Sequence, residues 1–560
     1  MLPMPDRLPP AVELSMPADS AGTTLLAALV THFPVRPDPV VTTVATCWDT
    51  FDGRLHAARL ELWRTSTGPD RPDVVTLVRS GVADTTGSLR ASRADRFFAP
   101  EVGPGPLRTR LEEVTETRAL LCQARVHSRT SAVRVCNSDD KTVVRLSIQT
   151  PEVRRRAGAA VVLTTRVRVV PVLGYDKEFD RVIAVLTGAV GLQPAEWSLA
   201  EEAVVAAGGT PGGVSANVAV PLAREMRADV ATLDIARRLA EVVEANLAGT
   251  LDDVDTEFLH DLRVAVRRTR SLLKERKGVL APPDEEQARV DLRWIQEITG
   301  PVRDLDVQLE EWPHTVASTP DAFAGDLQPL HDLLHSHREQ ALRKMRRALR
   351  GKRYQDGWTR WQAVMAHPLA ERRDRSRPNA ARPIADVAGH RIAAVYRKMV
   401  EMGQAIDDGS PPEGLHDLRK RGKELRYLLE LFGSLWPDEI VSPMVSTLKS
   451  LQDVLGRFQD DQVQATYLRT LGPELAATPG GTDALIALGF IVEHLTADQA
   501  AARGAFAKRF ASFAGTEQRE VVDTVFRPAR QRGPDGNRST ATNATKPTKS
   551  KKSKKKKQQA

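Results

Sequence analysis

The stretch HDLRVAVRRTRSLL at residues 260–273 has a counterpart, HDLRKRGKELRYLL, at residues 416–429, and the two lie 156 residues apart. The same offset, without a gap, aligns two further pairs of stretches: DLRWIQEITGPVRDLDVQ (291–308) with TLKSLQDVLGRFQDDQVQ (447–464), and KRY (352–354) with KRF (508–510). One offset that holds over about 95 residues is typical of a tandem duplication rather than of a chance motif.

Apolar residues recur three and four positions apart from about residue 221 to about residue 515. This period predicts an all-helical domain over 221–515. Inside it, residues 370–383 are charged, contain proline and lack the period, so we expect them to join two repeat halves at about 221–369 and 384–515. The duplication therefore predicts two copies of a helical bundle.

HDLR begins a row of cationic side chains on one face of a helix. Positions 0, 3, 7, 10 and 14 of a helix share a face. In the first copy they hold His260, Arg263, Arg267, Arg270 and Lys274, and in the second copy the first four hold His416, Arg419, Lys423 and Arg426. The row has no acid at its own offsets in either copy, and like charges stacked on a helix repel each other. The row therefore predicts a site for an anionic ligand, with a merely solvated helix face as the alternative.

Acidic residues close to this row have two interpretations. Asp261 and Asp417 follow the two histidines, and they either orient the cations or cap the helices. Four further acids come in pairs that would suit a metal ion: Asp304 with Asp306, and Asp460 with Asp461. Since no histidine or further acid stands at ligand spacing, we expect them to form salt bridges at helix ends instead. The sequence predicts no metal, no cofactor and no catalytic residue.

Other basic residues are secondary candidates for binding an anion. In the helical part they are Arg343, Arg346, Arg347, Arg350 and Arg397, with His390 and Arg391 on weaker grounds, and in the first half they are Arg64, Arg79, Arg166 and Arg168. Several of them are equally explained as solvated positions on helices or strands.

The formal net charge of +8 is concentrated in residues 546–557, which hold eight lysines and no acid. The rest of the chain is near neutral, so a basic binding surface requires that charge be segregated onto one face. Residues 527–560 are predicted to be disordered because they cannot bury a core. The lysines predict nonspecific binding of nucleic acid, although aromatic residues for base stacking make up only 5% of the chain.

Three cysteines, Cys47, Cys122 and Cys136, are too few and too irregularly spaced for a disulfide framework. Residues 1–20 carry acids and prolines rather than a basic segment followed by an apolar one. No run of about 18 apolar residues occurs in the chain. We therefore expect a cytoplasmic protein with reduced thiols and no membrane contact.

The first half of the chain alternates short β-branched runs with turn residues, as in the hairpin AVRVC-NSDDK-TVVRLSIQ at 132–149. This pattern predicts an antiparallel β-rich domain over residues 1–195. Residues 196–220 are rich in glycine and are predicted to form a linker. The expected fold class is α+β, with several domains.

The paired motifs HDLRVAVRRTRSLL with IQEITGPVRDLDV, and HDLRKRGKELRYLLELF with LQDVLGRFQDDQV, resemble the CHAD family, the conserved histidine α-helical domain. The resemblance covers residues 221 to about 515. It implies two four-helix bundles related by pseudo-twofold symmetry and the binding of inorganic polyphosphate on a basic surface. By position it marks His260, Arg263, Arg267, Arg270, His416, Arg419, Lys423 and Arg426.

The first half is similar to the CYTH family, whose triphosphate tunnel often precedes a CHAD domain, at residues 47–64, 74–79 and 166–195. The family's opening series of glutamates is reduced to Glu13, and its late acidic strand has Arg166 and Arg168 in place of acids. Cations at ligand positions repel the metal that triphosphate hydrolysis needs. The resemblance therefore implies a degenerate, catalytically inactive tunnel.

These observations predict a non-enzymatic protein that binds inorganic polyphosphate and associates with polyphosphate granules. Two alternatives stay open. One is a metal-dependent inorganic triphosphatase built on the first half, and the other is a nucleic-acid or nucleoid-associated protein that binds through residues 546–557.

Overall fold

The computed structural model describes residues 11–16, 22–66, 71–79, 82–89, 95–154, 160–216, 218, 220–275, 278–366, 374–407 and 409–526. Within these ranges a β-rich domain precedes a helical domain, as predicted. The predicted disordered tail at 527–560, with the lysines of 546–557, lies outside the described residues.

The β domain is built on one antiparallel sheet of twelve strands. The strands are β1 Val12–Ser15, β2 Val35–Pro37, β3 Val41–Thr50, β4 Leu60–Thr65, β5 Asp73–Arg79, β6 Val82–Leu89, β7 Arg96–Phe97, β8 Leu120–Cys136, β9 Thr142–Arg154, β10 Ala160–Val162, β11 Arg166–Pro171 and β12 Gln193–Pro194. Their order in the sheet is β12-β1-β11-β9-β8-β3-β4-β5-β6, with β10 paired to β9 and with β2 and β7 paired to β8. The predicted hairpin is the pair β8–β9, whose turn is held by Asn137 Oδ1 accepting from the N–H groups of Asp139 and Lys141.

Five helices accompany the sheet: α1 Gly22–His32, α2 Arg54–Ala57, α3 Pro106–Thr115, α4 Asp176–Gly188 and α5 Leu199–Ala207. α1 and α4 pack on β8, β9 and β11 in one apolar cluster, and α3 packs on β4 to β6 in another. The sheet curls so that side chains from eight strands line a cavity of about 470 Å³. This curvature is consistent with a CYTH-like tunnel.

The prediction of a plain linker at 196–220 is wrong for much of that stretch. α5 lies within it, begins at a Ser198–Glu201 capping box, and packs Ala200 and Ala203 against the sheet. Gly213, with φ near +62°, docks so tightly that a Cβ there would overlap the carbonyl of Phe51. No residue with a Cβ fits this close backbone contact. The glycine therefore allows the segment to pack against the β domain and does not make it a flexible linker.

The helical domain has thirteen further α-helices among the described residues. They are α6 Ala228–Asp252, α7 Thr256–Glu275, α8 Pro282–Glu310, α9 Trp312–Ser318, α10 Asp321–Ala324, α11 Gln328–Leu349, α12 Lys352–Met365, α13 Ile384–Gln404, α14 Pro412–Phe432, α15 Asp438–Thr470, α16 Gly472–Ala476, α17 Gly481–Phe513 and α18 Thr516–Val525. Short 3₁₀ helices occur at Ala99–Glu101, Gly325–Leu327 and Gly433–Leu435. The long helices α6, α7, α8 and α11 form one half, and α13, α14, α15 and α17 form the other.

The repeat inferred from the sequence is present in the helix boundaries. α6 and α13, α7 and α14, and α8 and α15 each begin 156 residues apart. Prolines stand in the first turn of α8 and α14, where a missing N–H has no cost. The two halves therefore repeat the same succession of helices in register.

Two backbone hydrogen bonds mark the axis that relates the halves. The N–H of Ala228 donates to the carbonyl of Arg382 at 2.9 Å, and the N–H of Ile384 donates to the carbonyl of Met226 at 2.8 Å. Met226 and Arg382, like Ala228 and Ile384, differ by the repeat offset, so exchanging the halves converts one bond into the other. Such reciprocal contacts are the property of a twofold interface. The halves are thus arranged as a pseudo-twofold dimer in one chain.

Both halves contribute to one apolar core, which includes Leu262 and Val266 of α7 with Leu418 and Leu425 of α14. The helical domain continues past the predicted end at 515, because Phe526, next to α18, packs against Trp436 with ring centroids 4.7 Å apart and is buried. By length and composition alone, α17 would also be able to cross a membrane. In this fold it packs along α15 and against α11.

Candidate anion-binding cleft

The two helices that begin with HDLR pack against each other. α7 and α14 are in contact across the pseudo-twofold axis, and beside them lies a cleft of about 720 Å³. Basic residues from both halves line it: Arg267, Arg270, Lys274, Arg289, Arg293, Arg382, His390, Arg391, Lys420 and Lys423. The two cationic rows therefore contribute to one cleft. The sequence alone did not decide whether they face one groove or opposite surfaces.

Four of these cations, Arg267, Arg270, Arg293 and Lys423, form no ion pair with any residue that the structure describes. The Nε of Arg267 is in addition buried without a hydrogen-bond partner. Among the lining residues that the structure describes, Glu424 is the single acid. Ordinary protein surfaces intersperse charges of both signs. This cleft differs from them, because most of its charged groups are cations and four of these have no ion pair with a described residue.

The pKa values indicate that these cations repel one another electrostatically. Burial, together with Arg419 and Arg267, lowers the pKa of Lys423 to about 8. Burial and the neighbouring Arg293 lower the pKa of Arg270. Both shifts have the sign expected of like charges held close together in a partly dehydrated place. A bound anion would offset this repulsion.

The two histidines that head the rows lie outside the cleft lining. Burial and the nearby Arg303 and Arg267 lower the pKa of His260 to about 4, so its imidazole is neutral at physiological pH. His416 Nδ1 lies 2.6 Å from Gln459 Oε1 and lines a separate pocket of about 480 Å³. His260 is therefore a neutral hydrogen-bonding group at physiological pH and does not add a positive charge to the row.

Three other predicted cations form hydrogen bonds or ion pairs with neighbouring residues of the protein. Arg263 donates to the carbonyl of Gln296 at 2.9 Å and to Thr299 Oγ1 at 2.8 Å. Arg419 donates to Asp460 at 2.8 Å and is 16% exposed. Arg426 donates to Glu430 at 2.6 Å. Of the nine predicted binding residues, the structure brings Arg267, Arg270, Lys274 and Lys423 into the cleft.

Glu430 also corrects the description of the second row. It stands 14 positions after His416, where the first copy has Lys274. The second row therefore ends in an acid, and its charge differs from that of the first row.

Several lining residues were missed by sequence reasoning. Arg289 and Arg293 are four residues apart on α8, a spacing that places them on one helix face. Arg382 and Lys420 had no such signal, because they reach the cleft from the segment between the halves and from the flank of α14. His390 and Arg391, which the sequence favoured only weakly, do line the cleft.

The secondary candidates lie elsewhere. Arg346 donates to the carbonyl of Leu251 at 2.6 Å, and Arg397 pairs with Asp523 at 3.0 Å. Arg343 is exposed beside Glu339, and Arg64 donates to Asp73 at 2.6 Å. Arg347, Arg350 and Arg79 are exposed. None of these residues lines the cleft.

Asp261, the acid of the first HDLR, binds the β domain. It pairs with Arg118, which is 1% exposed and also donates to Asp255 at 3.2 Å. The Arg118 guanidinium lies over the Phe258 ring at 5.3 Å, and the N–H of Ala119 donates to Asp255 at 3.0 Å. Asp255 caps α7, so the interpretation of Asp261 as an orienting or capping residue is wrong. Asp417 of the second copy is exposed and pairs with Lys420.

The cavity of the β domain contains its own ion pairs. Arg166, 4% exposed, donates to Glu13 at 2.7 Å and to Glu202 at 3.0 Å, and Arg168 lines the same cavity. Among the residues that the structure describes, no three His, Cys, Asp or Glu side chains are grouped to hold a metal ion. In the helical domain the predicted salt bridges are present at Asp306, which accepts from Arg338 at 2.6 Å, and at Asp460. Asp304 and Asp461 have no ion pair with any residue that the structure describes, so the prediction is wrong for these two.

Comparison with known proteins gives the following similarities. Residues 234–469 match the family model of the CHAD domain. The uncharacterized proteins Rv2226 and MT2285, from two strains of Mycobacterium tuberculosis, are each 25% identical over 230 residues, which is 40% of this chain. The chain matches 42% of the length of these curated relatives.

Two solved structures are also similar. The CHAD domain from the plant Ricinus communis is 23% identical with a TM-score of 0.45, over 53% of this chain and 95% of that one. PptA from Streptomyces chartreusis is 18% identical with a TM-score of 0.41, over 51% of this chain and 99% of that one. With the match of the family model, the chain contains a CHAD domain at residues 234–469, preceded by an antiparallel β domain that is consistent with a CYTH-like tunnel.

Proposed function

We propose that this protein binds inorganic polyphosphate in the cleft beside α7 and α14, without chemical conversion of the polymer. The observation that carries the proposal is the group of four cations, Arg267, Arg270, Arg293 and Lys423, that share this cleft without an ion pair to a described residue. The resemblance of the two HDLR motifs to the CHAD family implies the same ligand.

The chemistry of the lining suits a phosphate polymer. Polyphosphate has about one negative charge per phosphate unit, and guanidinium groups bind phosphate oxygens with two parallel hydrogen bonds. Binding also releases condensed counterions, which makes the affinity strongly dependent on salt. Because Lys423 and Arg270 are forced into proximity with other cations, an incoming polyanion relieves repulsion that exists in the free protein.

We further propose that the β domain has no triphosphatase activity. Its remaining family glutamate, Glu13, is bound to Arg166, and Arg166 is buried between Glu13 and Glu202. A hydrolytic site needs carboxylates that are available to a divalent metal, whereas here a guanidinium occupies that position. Release of phosphate from tripolyphosphate with Mg²⁺ or Mn²⁺, abolished by Glu13→Gln, would contradict this. The cytoplasmic location and the association with granules stay predictions.

Charge removal at the pseudo-equivalent pair tests the proposal. The double variant Arg267→Gln/Lys423→Gln removes one cleft cation from each copy, and we expect its affinity for long-chain polyphosphate to fall by at least about 30-fold. The matched control is Arg343→Gln, an exposed arginine on α11 outside the cleft, which should bind like the wild type. Titration calorimetry at low salt makes the comparison. Wild-type affinity in the double variant, or no binding by the wild type, would overturn the proposal.

Competition with single-stranded DNA separates the cleft from the lysines of 546–557. We expect single-stranded DNA to compete poorly for the cleft, because few aromatic residues are present for base stacking. Removal of residues 540–560 should lower DNA binding more than polyphosphate binding. Equal losses for both polymers would favour the nucleic-acid alternative.

A further inference from the structure

Two ion pairs join the cationic helices α7 and α14 across the pseudo-twofold axis. Lys274 of α7 pairs with Glu424 of α14, and Arg268 of α7 pairs with Glu430 of α14 at 2.8 Å. Each glutamate also holds an arginine of its own helix: Glu424 accepts from Arg421 at 2.7 Å, and Glu430 accepts from Arg426 at 2.6 Å. Both acids are therefore counterions between like-charged helices.

These two pairs are the same contact seen from opposite halves. Arg268 and Glu424 occupy equivalent positions in the repeat, and so do Lys274 and Glu430, because each couple differs by 156. Exchanging the halves therefore converts the Lys274–Glu424 pair into the Glu430–Arg268 pair. At both positions the first copy has a cation and the second copy has an acid. If both copies had kept cations, the four side chains would repel at this contact.

The two glutamates differ in their position, because Glu424 lines the cleft and Glu430 does not. Glu424 lines the cleft and is the single acid to do so in the part of the chain that the structure describes; its side chain is 12% exposed. Glu430 does not line the cleft, although its side chain is similarly sheltered at 22% exposed. A carboxylate held at the wall of an anion site opposes every anion that enters.

We propose that the carboxylate of Glu424 repels anions in the cleft and thereby sets the minimum negative charge that an anion needs in order to bind there. The inference rests on the proposed function and concerns selectivity within it. The carboxylate repels all anions, but a long polyphosphate chain makes enough contacts with the surrounding cations to overcome that repulsion. Orthophosphate, pyrophosphate and short oligophosphates make too few. The cleft therefore discriminates in favour of long chains, and Glu424 is the residue responsible.

The experiment compares Glu424→Gln with Glu430→Gln in the full chain. Each change removes one carboxylate from an equivalent inter-copy pair, so both variants should lose thermal stability to a similar degree. Only Glu424→Gln should bind tripolyphosphate more tightly, by about 5- to 10-fold, as expected for one charge repulsion removed in a partly buried site. Its affinity for chains of about 100 phosphates should rise by a smaller factor, so that the preference for long chains decreases.

The salt dependence gives a second readout that a purely structural role would not change. In Glu424→Gln, one more protein cation becomes available to the polymer, so the slope of log affinity against log salt should steepen by about 0.7. Glu430→Gln should keep the wild-type slope and the wild-type chain-length preference.

The outcomes separate this inference from the proposed function. Wild-type binding with equal chain-length preference in both variants, or with weaker binding by Glu424→Gln, would overturn the inference and leave the proposed function standing. Absence of polyphosphate binding by the wild type and by both variants would overturn both.

Discussion

Arg267 and Lys423 occupy the same position in the two copies of the repeat, and they line one cleft closely enough that the charge of Arg267 helps to lower the pKa of Lys423. The duplication thus places equivalent cations from both halves next to the pseudo-twofold axis. An anion that binds there contacts both copies at once, which ties the symmetry of the fold to the proposed site.

Lys423 predicts a pH dependence of binding above neutrality. Its pKa of about 8 means that the ammonium is charged below that value and neutral above it. Affinity for polyphosphate should therefore decrease as the pH rises from 7 to 9. Lys423→Arg keeps its charge throughout this range, so its affinity should be flat over the same interval. An identical decrease in both proteins would show that Lys423 is not the titrating group.

The same pKa predicts an effect on stability without ligand. Because the pKa of Lys423 is lower in the folded chain than its ordinary 10.5, the unfolded chain binds more protons between about pH 8 and 10.5. This residue's contribution to the free energy of unfolding should therefore increase across that window. Lys423→Met should lose this contribution, and urea denaturation at several pH values would show it.

His260 predicts the absence of a titration near pH 6. Burial and four neighbouring arginines hold its pKa at about 4, so its ring should stay neutral from pH 5 to 8. In NMR spectra of histidine-labelled protein, the His260 ring signals, assigned with His260→Gln, should not shift over this range. A midpoint between pH 6 and 7 would mean that His260 acts as an additional cation after all.

Arg118 predicts that the β domain and the helical domain depend on each other. Arg118→Met would leave the buried carboxylates of Asp255 and Asp261 without the guanidinium that neutralises them, and breaking such a pair costs about 3–5 kcal/mol. We expect urea denaturation to begin earlier and to separate into two transitions. Arg110→Met removes a surface pair with Glu113 and should change stability by less than about 1 kcal/mol. Equal effects of the two changes would contradict the coupling.

Two glycines within helices predict opposite effects of alanine. A Cβ on Gly249 of α6 would overlap the ring of Phe258, the residue that packs against Phe51 of the β domain with ring centroids 4.6 Å apart. Gly249→Ala should therefore lower the free energy of unfolding by about 1–3 kcal/mol. Gly489 of α17 has open space around that position, so Gly489→Ala should raise it by about 0.5–1 kcal/mol. Stabilisation by both alanines would contradict the packing at Phe258.

Sequence reasoning reached the duplication, the helix order and four of the cleft cations, because each depends on a constant offset or on helical spacing. It could not separate Arg267 from Arg263, since both lie on one stripe and only the neighbouring α8 decides which one is held by Thr299. The contacts of Arg118 with the helical domain could not be predicted for another reason. The partners of this arginine lie 137 and 143 residues away in a different domain, and no local pattern encodes such a contact.

The most direct test of the central claim is the affinity of the wild-type protein for long-chain polyphosphate, measured by calorimetry over a series of salt concentrations. Arg267, Arg270, Arg293 and Lys423 have no ion pair with a described residue, and about 0.7 counterions should be released for each cation that the polymer engages. These four cations therefore predict that log affinity falls against log salt with a slope of about 3. No binding at low salt, or a slope near zero, would contradict the claim that this cleft is a polyphosphate site.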